Sequence, residues 1–323
     1  MWQILSFSVI STIASLSLTT SAYYIDGSCS ADARSTIEQS MADIKDVIIP
    51  DTSNLLRSVT SDEEKHDFVS WLFGNGDFEN AVWVATDVFK KLGEIDYNLQ
   101  TYMGLNQLQI FCDEGRFVKN TESDKRLRDK TNGLVFQFTQ TECQKNGIFD
   151  AIFGSGTQAW TVKLNGKRDQ DGIRVSDTRV ELQICPDYLK KALSRKKTLT
   201  ARIKELMKRI RSGFSNKQNM NIATVYGRQH MDVLCGFTCT LLHELTHSLT
   251  PATIHAGDSR QGGENTGWVA VRKLADGSNY KAAQNNADTM AYLGIGSTLL
   301  KEYTIDQNGN VRPRPNARRW LRW

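Results

Sequence analysis

Apolar residues recur at three- and four-residue spacing along much of the chain, which predicts a protein built mainly from helices. The first predicted helix follows Cys29, and Ser30 or Asp32 can cap its N-terminus. The apolar side of this helix consists of Ile37, Met41, Ile44, Val47 and Ile48. Further helices are predicted at about 62–73 and 77–92, and after residue 230 the pattern predicts only helices and loops.

Shorter apolar runs predict a few strands. They include LNQLQIFCDE, residues 105–114, and GLVFQFTQTEC, residues 133–143, whose alternating apolar positions are Leu134, Phe136 and Phe138. Two or three short strands are predicted in 158–189, with turns at Asn165-Gly166 and Asp171-Gly172 and an end at Pro186. We therefore predict a single α+β domain that is mainly helical and has a small mixed sheet.

Residues 1–22 carry no charge and contain a short apolar run that ends in Thr20, Ser21 and Ala22. A small-residue ending suits signal peptidase, so we predict a signal peptide at 1–22 and a secreted, extracellular protein. A membrane span is the alternative, but serine and threonine dilute the segment and no basic cluster follows it. We expect no span in the mature chain, a domain at 23–305 and a basic, flexible tail at 306–323.

The cysteine content fits a secreted protein. The six cysteines predict up to three disulfides in an oxidising compartment, without defining their pairing. They are Cys29, Cys112, Cys143, Cys185, Cys235 and Cys239. The net charge of +4 is mild and gathers on a predicted amphipathic helix at 194–214 and in the tail RPRPNARRWLRW. Such a tail is more often mobile than bound to an anionic partner, so no nucleic acid is required.

The stretch CTLLHELTHSLTP, residues 239–251, is predicted to be a helix that Pro251 ends. His243 and His247 lie one turn apart, so both imidazoles can bind one zinc ion at about 2.0–2.1 Å. Glu244 lies beside them and can accept a proton from zinc-bound water. The pattern His-Glu-x-x-His is typical of zinc proteases. The structural alternative is a core helix with two hydrogen-bonded histidines.

A catalytic zinc needs a third protein ligand, and the residues leave Asp288, His255 and Glu264 as candidates. Asp288 is favoured because it shares a helical stripe with apolar residues, where a carboxylate is costly unless it is paired or bound to metal. That stripe consists of Ala291, Tyr292, Ile295 and Leu299. Asn285 or Asn286 can cap this helix without Asp288.

Together these motifs resemble the aspzincins, the deuterolysin-like secreted zinc endopeptidases of fungi. The resemblance rests on LLHELTH followed by TGWVAVRKL and NNADTMAYLG, and it extends to IDGSCS and QICPDYL upstream. It is patchy across most of the mature chain. It implies a zincin-like fold and one Zn²⁺ per chain, held by His243, His247 and Asp288, with Glu244 as general base. We expect a monomer that hydrolyses protein or peptide substrates.

The chain departs from the family pattern at one position. The family usually has a tyrosine before a glycine between the second histidine and the aspartate, and this tyrosine is taken to stabilise the oxyanion. Here Thr266 precedes Gly267, so Thr266 and Tyr280 are the candidate oxyanion groups. Loss of one such donor typically costs about 10² to 10³ in rate. The sequence therefore predicts a secreted zinc endopeptidase, with a catalytically weak or inactive zinc-binding relative, a secreted binding protein, as the alternative.

Overall fold

The structure is a computed structural model that describes residues 22–99, 108–136, 140–141, 143, 158–164, 180–194, 230–249, 266–277 and 280–314. The predictions that lie outside these residues are the signal peptide up to residue 21, the turns at 165–166 and 171–172, the helix beyond residue 194, and the tail beyond residue 314. The alternative zinc ligands His255 and Glu264 also lie outside them.

The predicted helices of the N-terminal half are confirmed. They are α1 (Ala31–Asp43) with the π-helical turn that follows it (Ile44–Ile48), α3 (Glu63–Phe73) and α4 (Phe78–Gly93). The π-helical turn continues into a further helix, α2 (Ile49–Ser58), which was not predicted. Ser30 caps α1, since its Oγ accepts from the Ala33 N–H at 3.3 Å. Asp62 caps α3 in the same way, through the Lys65 N–H at 3.2 Å.

The chain also forms one five-stranded mixed sheet. Its strands are β1 (Ala22–Ile25), β2 (Asp96–Leu99), β3 (Leu108–Phe111), β6 (Ala159–Lys163) and β7 (Val180–Ile184), in the order β2-β1-β3-β7-β6. All pairs are parallel except β6 with β7, which is antiparallel and places Thr161 opposite Leu182. The edge strand β6 is the one that reaches the candidate site. A separate hairpin is formed by β4 (Phe117–Lys119) and β5 (Leu127–Asp129).

The C-terminal half supplies six further helices among the described residues. They are α5 (Pro186–Ser194), α6 (His230–Leu234), α7 (Phe237–Leu249), α8 (Trp268–Asp276), α9 (Tyr280–Gln284) and α10 (Ala287–Leu299). Helix α7 packs against α10, α1, α4 and the edge strand β6. The predicted α+β class, with helices outweighing strands, is therefore confirmed for the described residues.

Two predictions of secondary structure differ from the structure. In the described part of the strand predicted at 133–143, Val135 forms an isolated antiparallel bridge with Arg128 of β5, and Leu134 and Phe136 pack in a small apolar cluster with Phe117. After residue 230 the chain also forms a hairpin, β8 (Tyr303–Ile305) and β9 (Val311–Pro313).

The hairpin turn explains the second error. The carboxylate of Asp306 accepts from the N–H groups of Asn308 and Asn310 at 2.9 and 3.0 Å, and Gly309 supplies a positive φ of 73°. Residues 306–313, which were expected to begin the flexible tail, thus form this turn and β9.

The three predicted disulfides are present, and no described cysteine is free. Cys29–Cys112 joins the start of α1 to the end of β3, Cys143–Cys185 reaches the end of β7, and Cys235–Cys239 links α6 to α7. Among the described residues, no helix is long and apolar enough to cross a membrane.

Candidate metal centre

The candidate site lies where helices α7 and α10 pack side by side. Helix α7 carries His243, Glu244 and His247, and the first turn of α10 carries Asp288. A glycine at position 294 lets the helices approach, since a Cβ there would lie 2.7 Å from the Leu242 Cδ2. The sequence motif and the distant aspartate, 45 residues apart, therefore meet in one place.

The two histidines face each other across one helical turn. Their Nε2 atoms are 3.2 Å apart, and the rings lie at 75° with centroids 4.9 Å apart. Two nitrogens bound tetrahedrally at the usual zinc–nitrogen distance would be about 3.3 Å apart. The spacing of these donor atoms therefore fits a shared zinc ion, and it equally fits the hydrogen bond between the two rings that the structural alternative predicts.

Asp288 contacts the opposite side of the His243 ring. Its Oδ1 lies 2.6 Å from His243 Nδ1, and its Oδ2 accepts the Gly267 N–H at 2.7 Å. Because a carboxylate accepts, this contact puts the ring hydrogen on Nδ1 and leaves the Nε2 lone pair directed at His247. A carboxylate on the second nitrogen is typical of histidines that bind metal.

This placement differs from the predicted set of three direct ligands. Among the residues that the structure describes, no group of three or more histidine, cysteine, aspartate or glutamate side chains is arranged to hold a metal ion. Asp288 reaches the centre through His243 Nδ1 rather than from the side of the Nε2 pair. Direct ligation of zinc by Asp288 therefore stays a prediction.

Glu244 is buried beside the histidine pair, with 4% of its surface exposed. Its Oε1 lies 4.0 Å from His243 Nε2, and its Oε2 accepts a hydrogen bond from Thr161 Oγ1 at 2.7 Å. No sequence pattern singles out Thr161, because it lies 83 residues away from Glu244, on the edge strand β6. One glutamate oxygen is thus held by the sheet and the other faces the histidines.

The two candidate oxyanion groups lie in different surroundings. Thr266 is exposed and borders a cavity of about 410 Å³ that is also lined by Asp232 and Trp268. Its neighbour Gly267 donates to Asp288, so Thr266 lies one residue from the site. The ring of Tyr280 instead lies over Gly76 in the loop between α3 and α4. An oxyanion role for either residue stays a prediction.

A second carboxylate, Asp232 of α6, holds the same segment. Its Oδ1 accepts from the Trp268 N–H at 2.8 Å and from the Tyr292 hydroxyl at 2.5 Å. Burial, and then the negative charges of Asp288 and Asp232, raise the pKa of Tyr292 well above its usual value, so this hydroxyl keeps its hydrogen. The start of α8 is therefore fixed by two carboxylates, of which sequence motifs singled out only Asp288.

No known protein family model matches this chain. Searches of curated proteins and of solved structures gave no match either. The resemblance to the aspzincins therefore rests on the short motifs quoted above.

Proposed function

We propose that the chain is a secreted zinc-dependent endopeptidase with a zincin-like fold and an aspzincin-like centre. In this proposal His243, His247 and Asp288 hold one zinc ion, and Glu244 is the general base. The observation that carries it is the pair of Nε2 atoms 3.2 Å apart, with the Glu244 carboxylate beside them. Three disulfides support secretion into an oxidising compartment.

When bound, zinc would polarise the peptide carbonyl and lower the pKa of a water molecule to about 7. Glu244 accepts the proton of the attacking water on Oε1, the oxygen that faces His243, and delivers it to the departing amine. Asp288 fixes the ring of His243 through Nδ1 and keeps its Nε2 available. Burial of Glu244 keeps this proton transfer away from bulk water.

A second candidate function is a zinc-binding relative with weak or no catalysis. Two observations favour it. An exposed threonine, Thr266, precedes Gly267 where the family has a tyrosine, and both oxygens of Asp288 already have partners other than a metal. Such a protein would bind zinc and cleave peptides slowly or not at all.

Cleavage of casein and of fluorogenic peptides tests the proposal. We expect the zinc-loaded protein to cleave, and Glu244→Gln to lose about 10² to 10⁴ in rate while it keeps its zinc, because only the proton acceptor is removed. Glu79→Gln, an exposed glutamate on α4, is the matched control and should behave like the unchanged protein. Absence of cleavage by the unchanged, zinc-loaded protein across many substrates would exclude the endopeptidase and leave the binding protein.

A further inference from the structure

We infer that Thr161 is a positioning residue for Glu244, the general base of the function proposed above, on which this inference rests. Thr161 lies in the edge strand β6 and Glu244 on helix α7. The hydroxyl of Thr161 donates to Oε2 of Glu244 at 2.7 Å, while Oε1 lies 4.0 Å from His243 Nε2. Thr161 thus holds one oxygen so that the other faces the histidine pair.

The hydroxyl of Thr161 donates its hydrogen bond to the carboxylate of Glu244 rather than to the backbone. Two acceptors lie within reach, Oε2 of Glu244 at 2.7 Å and the carbonyl oxygen of Glu244 at 3.3 Å. The shorter distance is that of a hydrogen bond from a hydroxyl to a charged oxygen. A carboxylate with only 4% exposure needs such a partner, because a buried charge without one is costly.

The strand that carries Thr161 is itself fixed relative to helix α7. Thr161 pairs with Leu182 in the sheet. One turn before Glu244, Thr240 donates to the side chain of Gln158 at 2.6 Å and contacts the Tyr188 hydroxyl at 2.8 Å. A glutamate side chain has three rotatable bonds, so an anchor on a rigid strand restricts its carboxylate to one place. Placement of this kind matters for proton transfer, since a displacement of about 1 Å can cost about a hundredfold in rate.

The first test does not depend on catalysis. Unfolding equilibria in urea are measured on the zinc-free full chain for Thr161→Val, Glu244→Met and the double variant. Valine keeps the shape of threonine and methionine keeps the length of glutamate, so only the hydrogen-bonding groups are removed. We expect the two substitutions to be non-additive by about tenfold or more in the unfolding constant, as for hydrogen bonds to charged groups. Additive effects would overturn the inference.

Thr240→Val is the matched control for this cycle. It removes the other threonine hydroxyl that joins α7 to the β6 side of the sheet, and it leaves Thr161 and Glu244 in place. Thr240→Val should destabilise the protein about as much as Thr161→Val does. Its effect on the free energy of unfolding should be additive with that of Glu244→Met. If Glu244→Met is coupled as strongly to Thr240→Val as to Thr161→Val, the coupling reflects a general weakening of the packing between α7 and β6. That result would overturn a specific role for Thr161.

The second test uses casein-derived fluorogenic peptides with the zinc-loaded protein. Thr161→Val should lower kcat by about ten- to a hundredfold with little change in KM or zinc affinity, and Thr161→Ser, which keeps the hydroxyl, should restore most of kcat. An unchanged kcat in Thr161→Val, or no rescue by serine, overturns the inference while the endopeptidase stands. If the unchanged protein cleaves nothing, both the proposed endopeptidase and the positioning role of Thr161 are excluded. This holds whatever coupling between Thr161 and Glu244 the unfolding measurements show.

Discussion

At the residue scale, Asp288 is the side chain on which the candidate centre depends most. Its two oxygens connect His243 Nδ1 to the Gly267 N–H, so it joins α7, α10 and the start of α8. If it also ligates zinc, Asp288→Ala should abolish zinc binding in dialysis against a zinc buffer, because two histidines alone make an incomplete catalytic site. A residue that only orients His243 would lower the zinc affinity by about 10- to 100-fold.

Asp232→Ala provides the control for this measurement. Asp232 accepts the N–H of Trp268 as Asp288 accepts that of Gly267, so the two carboxylates hold the same backbone segment. The variant should keep its zinc affinity. A tenfold or larger loss in Asp232→Ala would show that the placement of the 266–268 segment, and not the Asp288 carboxylate, governs metal binding.

The sequence predicts the members of this centre that depend on helical spacing. His243, Glu244 and His247 follow from one turn of helix, and Asp288 follows from a carboxylate on an apolar stripe, which needs a partner. Thr161 was beyond prediction because its contact depends on where the edge strand meets α7, and no local pattern encodes that. The same holds for Asp232, whose partners Trp268 and Tyr292 lie 36 and 60 residues further along the chain.

At the element scale, the close packing of α7 against α10 sets the geometry of the site. A Cβ added at Gly294 would lie 2.7 Å from Leu242 Cδ2 and 2.8 Å from Ile48 Cγ2, closer than carbon atoms approach in folded proteins. Alanine improves helix propensity by about 1 kcal/mol, but overpacking a core typically costs about 1–3 kcal/mol. We expect Gly294→Ala to lower the free energy of unfolding in urea by about 1 kcal/mol.

The same substitution should also weaken zinc binding, because moving α10 away from α7 displaces Asp288 from His243. Gly93→Ala is the matched control, since Gly93 ends α4 and a Cβ there would lie 3.6 Å from Ile49 Cγ2, an ordinary contact. It should be neutral or slightly stabilising. A stable Gly294→Ala variant with unchanged zinc affinity would contradict the view that this contact sets the site.

Element prediction succeeded where the apolar pattern is long and failed where it is short. Helices α1, α3 and α4 each extend over eleven residues or more and have clear apolar sides. The strands β8 and β9 have three residues each, too few to show alternation, so only the turn residues at 306–310 carried a signal. In 133–136 the alternation places Leu134 and Phe136 in an apolar cluster with Phe117, and the pairing with β5 is limited to the bridge between Val135 and Arg128.

At the scale of the whole molecule, two of the three disulfides connect parts of the chain that no local pattern relates. Cys29–Cys112 closes a loop of 83 residues and Cys143–Cys185 one of 42. Composition and the predicted secretion indicated three bridges, whereas the pairing depends on which strand ends meet in the sheet. Cross-links over such loops stabilise a fold mainly by restricting its unfolded chain.

We expect a buried charge network at strand β7 to make the stability of the whole molecule depend on pH. Arg116 is 5% exposed, pairs with Asp129 and Glu181, and lies against the rings of Phe111 and Phe117 at 3.6 and 4.2 Å. Burial raises the pKa of Glu181, and the nearby Arg116 charge offsets this only in part. The folded protein therefore holds a proton on Glu181 at pH values where the unfolded chain has released it.

Glu181→Gln tests this dependence. Because the folded pKa is raised, the contribution of Glu181 to stability is fully present below the unfolded value of about 4.3 and is lost as pH rises through the folded value. Glutamine does not titrate, so the free energy of unfolding of the unchanged protein minus that of the variant should fall as pH rises from about 4, and then level off. Urea unfolding at pH 4 to 8 measures this difference. Glu79→Gln, at an exposed position, is the control, and its difference from the unchanged protein should not vary with pH. If the difference for Glu181→Gln does not vary with pH, the Arg116 charge offsets the effect of burial on the Glu181 carboxylate fully. The network would then stabilise β7 to the same extent from pH 4 to 8.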